Sequence, residues 1–143
     1  MSIHLIVDDM TDVNYVTVMG EEAEQVAEHV CAALPSFSIA EIVRLLEQAT
    51  TRDEQIYALY RAGVTLPGQY DAMYMPLFEK TLANDDPDVR RATIIAMAAL
   101  EWPELQPLME RIAVTDPEAD VRADAQQWLD GFAQLHGTVS MTA

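Results

Sequence analysis

The chain has 143 residues, of which 50% are hydrophobic, and its 24 acidic and 8 basic residues give a formal net charge of −16. This length suits one domain, and the apolar content is sufficient for a buried core and too high for a disordered acidic chain. The acidic excess argues against binding to nucleic-acid backbones or to anionic membrane surfaces, because both are held by clustered cations.

The N-terminal sequence and the cysteine content indicate a cytoplasmic protein. Cys31 is the single cysteine, so no disulfide can form within the chain. The first apolar run has no basic start and is interrupted by Asp8 and Asp9, which is unlike a signal peptide. No stretch approaches the roughly 20 apolar residues that a membrane-spanning helix needs.

Residues 1–35 predict a β-hairpin followed by a capping helix. Residues 3–7 and 13–18 are rich in β-branched side chains and flank a polar turn segment. A helix is predicted after Gly20, and Pro35 ends it. Its apolar stripe comprises Ala23, Val26, Ala27, Val30, Ala33 and Leu34. Because an isolated hairpin is marginal in water, we expect it to pack on this helix.

Residues 36–136 predict a succession of helices of about a dozen residues each. The first of them begins at a capping box formed by Ser38 and Glu41. The helical periodicity is interrupted at Thr50-Thr51, Gly63, Pro67-Gly68, residues 84–87, Trp102-Pro103 and Asp116-Pro117. Residues 137–143 show no periodicity, and we expect a flexible tail there. Together these segments are expected to form one compact domain.

The helical region repeats itself. The clearest matches are Pro76-Leu-Phe-Glu-Lys80 with Pro107-Leu-Met-Glu-Arg111, and Asp86-Pro-Asp-Val-Arg90 with the segment from Asp116 to Arg122, which carries a two-residue insertion. A weaker first copy places Ile56 in the position of Val89, with an apolar stripe of Ile56, Leu59, Tyr60, Gly63 and Val64. Each copy is a helix, a turn containing aspartate, and a second helix. One such helical hairpin cannot cover its own apolar face, so we expect the copies to stack.

The turn sequence Asp-Pro-Asp-Val-Arg-Arg-Ala, residues 86–92, and its second copy resemble the HEAT-repeat family, and the likeness extends over roughly residues 38–135. The resemblance implies a mainly α fold, a short α-solenoid of about three helical hairpins, to which residues 1–35 would add a cap. It also implies a hydrogen-bonded ladder between neighbouring repeats, made by Asp86, Arg90, Asp116 and Arg122. The first repeat departs from this pattern, because it retains Asp53 but has Ile56-Tyr57 in place of the Val-Arg pair.

In a stack of this kind the second helices line a concave surface, where we expect a partner protein to bind. Tyr57 lies off the apolar stripe of its helix, and Ile94 and Ile95 lie between core positions, so all three are predicted to be exposed there. The predicted partner-binding residues are Tyr57, Arg61, Arg91, Ile94, Ile95, Asp8, Asp9 and Asp12. No lysine or arginine precedes Arg44, so the acidic N-terminal third favours a basic partner.

No residue pattern points to catalysis, a cofactor or a metal. His4, His29 and His136 are far apart in sequence, and no phosphate loop, nucleophile elbow or dinucleotide motif occurs. We expect Cys31 to be a packed structural residue, because the acidic residues around it disfavour a reactive thiolate.

The function predicted from these observations is that of a protein-binding module without enzymatic activity. One role is that of an immunity protein that neutralises a toxin, and a second is that of an adaptor or assembly factor in a larger complex. Similarity to HEAT-like chromophore lyases makes an enzyme the third alternative. Self-association is also considered, through a C-terminal face around Trp128, Phe132 and Leu135.

Overall fold

The computed structural model describes residues 1–136, and the predicted flexible tail, residues 137–143, lies outside the described residues. The chain begins with β1 (Ser2–Asp8), β2 (Val13–Met19) and α1 (Ala23–Ala33). Three helical hairpins follow: α2 (Ile39–Gln48) with α3 (Arg52–Thr65), α4 (Met75–Leu82) with α5 (Pro87–Leu100), and α6 (Gln106–Thr115) with α7 (Ala119–His136). The predicted mainly helical fold, with three helical hairpins after an N-terminal β-hairpin and helix, is confirmed.

Local capping explains where several helices begin. Ser38 Oγ accepts the Glu41 amide at 3.2 Å while the Glu41 carboxylate accepts the Ser38 amide at 2.7 Å, which confirms the predicted capping box of α2. Thr51 forms a second capping box at the start of α3. Asp86 caps α5 by accepting the Asp88 amide at 2.9 Å.

The helices stack in two layers. The second helices of the three hairpins contact one another in the order α3, α5, α7, and each first helix packs on the second helix of its own hairpin. The side chains between the layers form one continuous apolar core, in which Leu59, Met97 and Met109 are fully buried. Because α5 is the central helix, it packs against α3, α4 and α7.

The buried face of α3 lies one residue away from the predicted one. Its buried residues are Gln55, Ala58, Leu59, Ala62 and Gly63, and the buried residues of α5 at the corresponding positions are Val89, Ala92, Thr93, Ala96 and Met97. The predicted match of Ile56 with Val89 is therefore wrong, and Val64 of the predicted stripe is exposed. A glutamine is tolerated at the buried position because Gln55 Oε1 accepts the Asn84 side-chain amide at 2.9 Å.

The turns before α5 and α7 match without an insertion. Arg90 Nη1 donates to the carbonyl groups of Asn84 and Asp85 at 2.8 and 3.1 Å. Arg122 Nη1 makes the same pair of bonds, at 2.7 and 3.0 Å, to Asp116 and Pro117. Asp116 is thus the structural counterpart of Asn84, and the predicted two-residue insertion is wrong. The aspartates in these turns are too frequent for the sequence to indicate which of them correspond.

Gly63 does not interrupt a helix as predicted but lies within α3. A Cβ atom at this position would lie only 3.0 Å from Ala96 Cα and 3.1 Å from Ala96 O on α5. Glycine therefore permits the close approach of two neighbouring repeats, and this gain outweighs its low helix propensity.

Replacing Gly63 with alanine is expected to lower the free energy of unfolding by about 1–3 kcal/mol, because the added methyl group meets the backbone of α5. Gly131 is the matched control, since it also lies in a helix and a Cβ atom there has no neighbour within 4 Å. Gly131→Ala should raise the free energy of unfolding by up to about 1 kcal/mol. Urea unfolding measures both effects, and equal shifts of the two variants would contradict the close approach at Gly63.

The N-terminal segment is more exposed than predicted. The β-hairpin packs through β2 on α1, as expected, and β2 also contacts α3. No residue of α1 is buried, because this helix packs mainly on one strand, and Ala33 and Leu34 of its predicted stripe are exposed. Cys31 is exposed as well, so the prediction of a packed cysteine is wrong.

Candidate binding groove

The candidate functional site is a groove on the side of the stack formed by α3, α5 and α7. It consists of two adjoining cavities of about 530 and 560 Å³. Met10, Arg91 and Ile95 border both cavities, so the two are continuous and are together called the concave groove. The cavity between α5 and α7 is its apolar half, and the cavity between the β1–β2 loop, α3 and α5 is its polar half.

The apolar half is lined by Ile94, Ile95, Ala98, Trp128, Phe132 and Leu135, and Met10 reaches it from the β1–β2 loop. The rings of Trp128 and Phe132 are stacked, with their centroids 4.9 Å apart. Ile95 is partly buried, but the prediction that Ile94 is exposed is wrong, because its side chain is only 2% exposed. The central helix α5 contacts α3, α4 and α7, so it buries apolar side chains on more than the one face that a single apolar stripe predicts.

The predicted self-association face overlaps this half of the groove. Trp128 is buried, Phe132 is partly buried and Leu135 is exposed, so these three residues do not form one exposed apolar face.

In the polar half, Arg61 of α3 forms a hydrogen bond to the β1–β2 loop. The guanidinium carbon of Arg61 lies 3.4 Å from the centroid of the Tyr57 ring. Arg61 also donates hydrogen bonds to the carbonyl groups of Tyr57 and Asp12, at 3.2 and 3.3 Å. The structure thus brings together three residues that the sequence analysis selected separately, and Tyr57 remains exposed at the groove.

The three predicted aspartates, one at the end of β1 and two in the β1–β2 loop, have different roles. Asp8 Oδ1 accepts the amides of Met10 and Thr11 at 2.9 and 3.3 Å, and the hydrogen bonds from Thr11 and Met10 lower the pKa of Asp8 below its ordinary value. Asp12 has a φ of 54°, a left-handed conformation that aspartate tolerates in turns, and it lines the polar half. Asp9 is exposed and does not line the groove. Asp8 therefore shapes the loop, and Asp12 contributes to the groove.

Carboxylates neutralise two of the arginines that border the groove. Arg91 Nε donates to Asp124 Oδ2 at 2.6 Å and joins α5 to α7. Arg52 lies within 3.2 Å of the carboxylates of Asp53, Asp86 and Asp88. The third, Arg61, is bound by the loop carbonyl group and the Tyr57 ring. All three arginines therefore interact with groups of the chain itself.

The residues assigned to the ladder form two contacts between repeats. Arg90 and Asp116 make a two-pronged pair, with Nε–Oδ2 at 2.9 Å and Nη2–Oδ1 at 3.0 Å, and their side chains are only 8% and 9% exposed. Asp86 instead pairs with Arg52 of the first repeat, at 3.2 Å. Arg122 bonds to the carbonyl groups of its own turn, as described above.

Three residues at the groove, Arg52, Met10 and Asp124, are not among the predicted site residues. Arg52 stands directly after the capping residue of α3 and not at the Val-Arg position of the repeat pattern. Met10 could have been predicted as a contact residue, because it is a long apolar residue in an otherwise polar hairpin turn. Asp124 lies on α7, and its role is visible only from the salt bridge that it forms with Arg91 of α5.

Among the side chains that the structure describes, those of residues 1–135, no group of three or more His, Cys, Asp or Glu is arranged to hold a metal ion. Over the same residues, no helix combines the length and the apolarity needed to cross a lipid bilayer.

Comparison with known proteins gives one finding. A family model described as HEAT repeats matches residues 42–130, which is more than half of the chain. No curated protein and no solved structure matches the chain significantly.

Proposed function

The chain belongs to the HEAT-repeat family, whose repeats commonly mediate protein–protein interactions, and we propose that it is a non-enzymatic module that binds another protein in the concave groove. The observation that carries this proposal is the shape and chemistry of the groove. An apolar cavity of about 530 Å³ is large enough for an anchoring side chain of a partner. It continues into a polar half that contains an exposed tyrosine, a residue type enriched at interfaces.

The charges around the groove support the proposal of a basic partner. Arg52 and Arg91 are paired with aspartates, whereas Glu101 at the edge of the apolar half makes no salt bridge among the described residues. The N-terminal third contributes further acids, of which Asp12 lines the polar half. A segment with an apolar anchor and flanking lysine or arginine residues matches this surface, and long-range attraction would speed its association.

Site-specific cross-linking tests the proposal. A photo-reactive phenylalanine derivative at Ile95 should capture a basic protein in the source cell. The same derivative at Val114, which is 79% exposed on α6 and outside the groove, should not capture it.

The captured protein is then purified and its affinity is measured. Ile95→Arg is expected to weaken binding at least about tenfold, because a cation replaces an apolar side chain in the groove, whereas Val114→Arg should have no effect. The association rate should fall as salt is raised. Equal binding by a folded Ile95→Arg variant would refute the groove as the binding site.

A finer proposal is that the partner is a basic toxin and that this chain is its immunity protein. The charge complementarity argued above supports this role. Co-expression of the chain with a toxic product of a flanking gene should restore growth, and Ile95→Arg should abolish the rescue while Val114→Arg preserves it. A partner that is harmless alone and co-purifies within a larger complex would favour the adaptor role instead.

A further inference from the structure

The β-hairpin has an open edge that the proposed binding function does not use. β1 pairs with β2 in antiparallel register, from Ser2 opposite Met19 to Asp8 opposite Val13, and these strands form the only sheet in residues 1–136. The sheet packs on α1 and α3 through β2. The outer edge of β1 therefore presents unpaired backbone N–H and C=O groups, a template for another strand.

One face of β1 is apolar and exposed. Ile3, Leu5 and Val7 alternate along the strand, so they lie on the same face, and each is more than half exposed. The register places Val18 and Val16 of β2 opposite Ile3 and Leu5, which extends the same apolar face. The terminal Asp8 is the one Asp, Glu, Lys or Arg residue of β1, although the whole chain has a net charge of −16.

We propose that β1 pairs with β1 of a second copy of this chain, so that the two hairpins form one four-stranded antiparallel sheet. The sequence of β1 is self-complementary in this arrangement. When a twofold axis passes through Leu5, Ile3 of each copy lies opposite Val7 of the other, and the two Leu5 side chains face each other. This register pairs every residue of Ser2–Asp8 and places no carboxylate opposite another, because Asp8 lies opposite Ser2.

Dimerisation of this kind would stabilise the β-hairpin. Two strands alone are marginally stable in water. In a four-stranded sheet the open edges of the two β1 strands pair with each other, and the neighbouring strand covers part of the apolar face. Two chains of the same charge repel each other, so dimerisation should strengthen as salt screens that repulsion. Capture of a basic partner in the groove has the opposite salt dependence, and failure of one proposal is therefore distinguishable from failure of the other.

Sedimentation equilibrium of the full chain, over a range of concentrations and at low and high salt, tests the proposal. The wild-type chain should form a dimer, and Leu5→Lys should raise the dissociation constant at least about tenfold, because two lysines would face each other at the axis. Val114→Lys is the matched control, since Val114 is 79% exposed, comparable to the 69% of Leu5, and lies on α6, outside the hairpin and outside the groove. This control should dimerise like the wild type.

Hydrogen exchange provides a second readout of the same interface. Alternate amides of β1 should become protected as the wild-type concentration rises, but not in Leu5→Lys. Circular dichroism shows whether both variants keep the native fold. A wild-type chain that stays monomeric at all concentrations would overturn the proposal. So would a dimer that Leu5→Lys leaves intact or that Val114→Lys breaks, because either result places the interface elsewhere.

Discussion

Asp116→Ala is expected to lower the free energy of unfolding by about 3–5 kcal/mol, because it leaves the Arg90 guanidinium buried without its carboxylate. Both side chains are more than nine-tenths buried, and two hydrogen bonds join them across neighbouring repeats. The desolvation cost of Arg90 remains after the substitution, while the attraction that offset it is lost. Urea unfolding followed by circular dichroism measures the difference.

Two further variants separate the ion pair from packing. Asp88→Ala removes a carboxylate from the half-exposed pair with Arg52, so its effect should be much smaller. The double variant Arg90→Met/Asp116→Leu should recover most of the loss, since no unpaired charge remains buried. If Asp116→Ala and Asp88→Ala cost the same, the buried pair does not have the role assigned to it.

The same pair should make stability depend on pH in acid. Burial by itself raises the pKa of Asp116, but hydrogen bonds from Arg90 and the Glu118 amide, with the charges of Arg90 and Arg122, bring it below its ordinary value. The contribution of Asp116 is therefore fully present above the unfolded-state pKa of about 3.9 and is lost as the pH falls through the lower pKa of the folded state. The stability difference between wild type and Asp116→Asn should shrink below about pH 4, and a constant difference would contradict this assignment.

Trp102→Ala is expected to lower the free energy of unfolding by about 3–5 kcal/mol, because it empties the largest fully buried side-chain site of the core. The indole ring contacts the rings of Tyr70, Tyr74 and Phe78, with centroids 5.5 to 6.5 Å away. Its Nε1 donates to the Pro67 carbonyl group at 3.0 Å. Chemical denaturation measures the loss.

Trp102→Phe separates the hydrogen bond from the ring volume, since it keeps an aromatic ring but removes the donor to Pro67. Its cost should be clearly below that of Trp102→Ala. Met73→Ala is the surface control, because Met73 is exposed, and its effect should stay within about 0.5 kcal/mol. Equal losses for Trp102→Phe and Trp102→Ala would mean that the hydrogen bond, not the packing of the ring, accounts for the effect.

These two contacts join neighbouring repeats at opposite ends of α5. The Arg90–Asp116 pair joins the turn before α5 to the turn before α7, and Trp102 joins the turn after α5 to the turn after α3. Because the walls of the concave groove are α3, α5 and α7, we expect both contacts to influence its width.

Local chemistry determined much of this fold. The capping box at Ser38 and Glu41 and the apolar periodicity predicted the helices from α2 onward, and the β-branched runs predicted the hairpin. The repeated turn motif then predicted stacked helical hairpins, because each hairpin needs a neighbour to cover its apolar face. These signals lie within a few residues of one another, so they are readable without any knowledge of distant contacts.

The sequence by itself therefore determined the elements, the repeat and the acidic character of this protein. Only the tertiary structure decided which positions are buried and which residues meet. It buried Ile94 because α5 is covered on several sides, kept Gly63 in a helix where two backbones approach, and brought Arg61, Tyr57 and Asp12 to one groove. These outcomes depend on contacts between residues far apart in the chain, and helical periodicity carries no information about them.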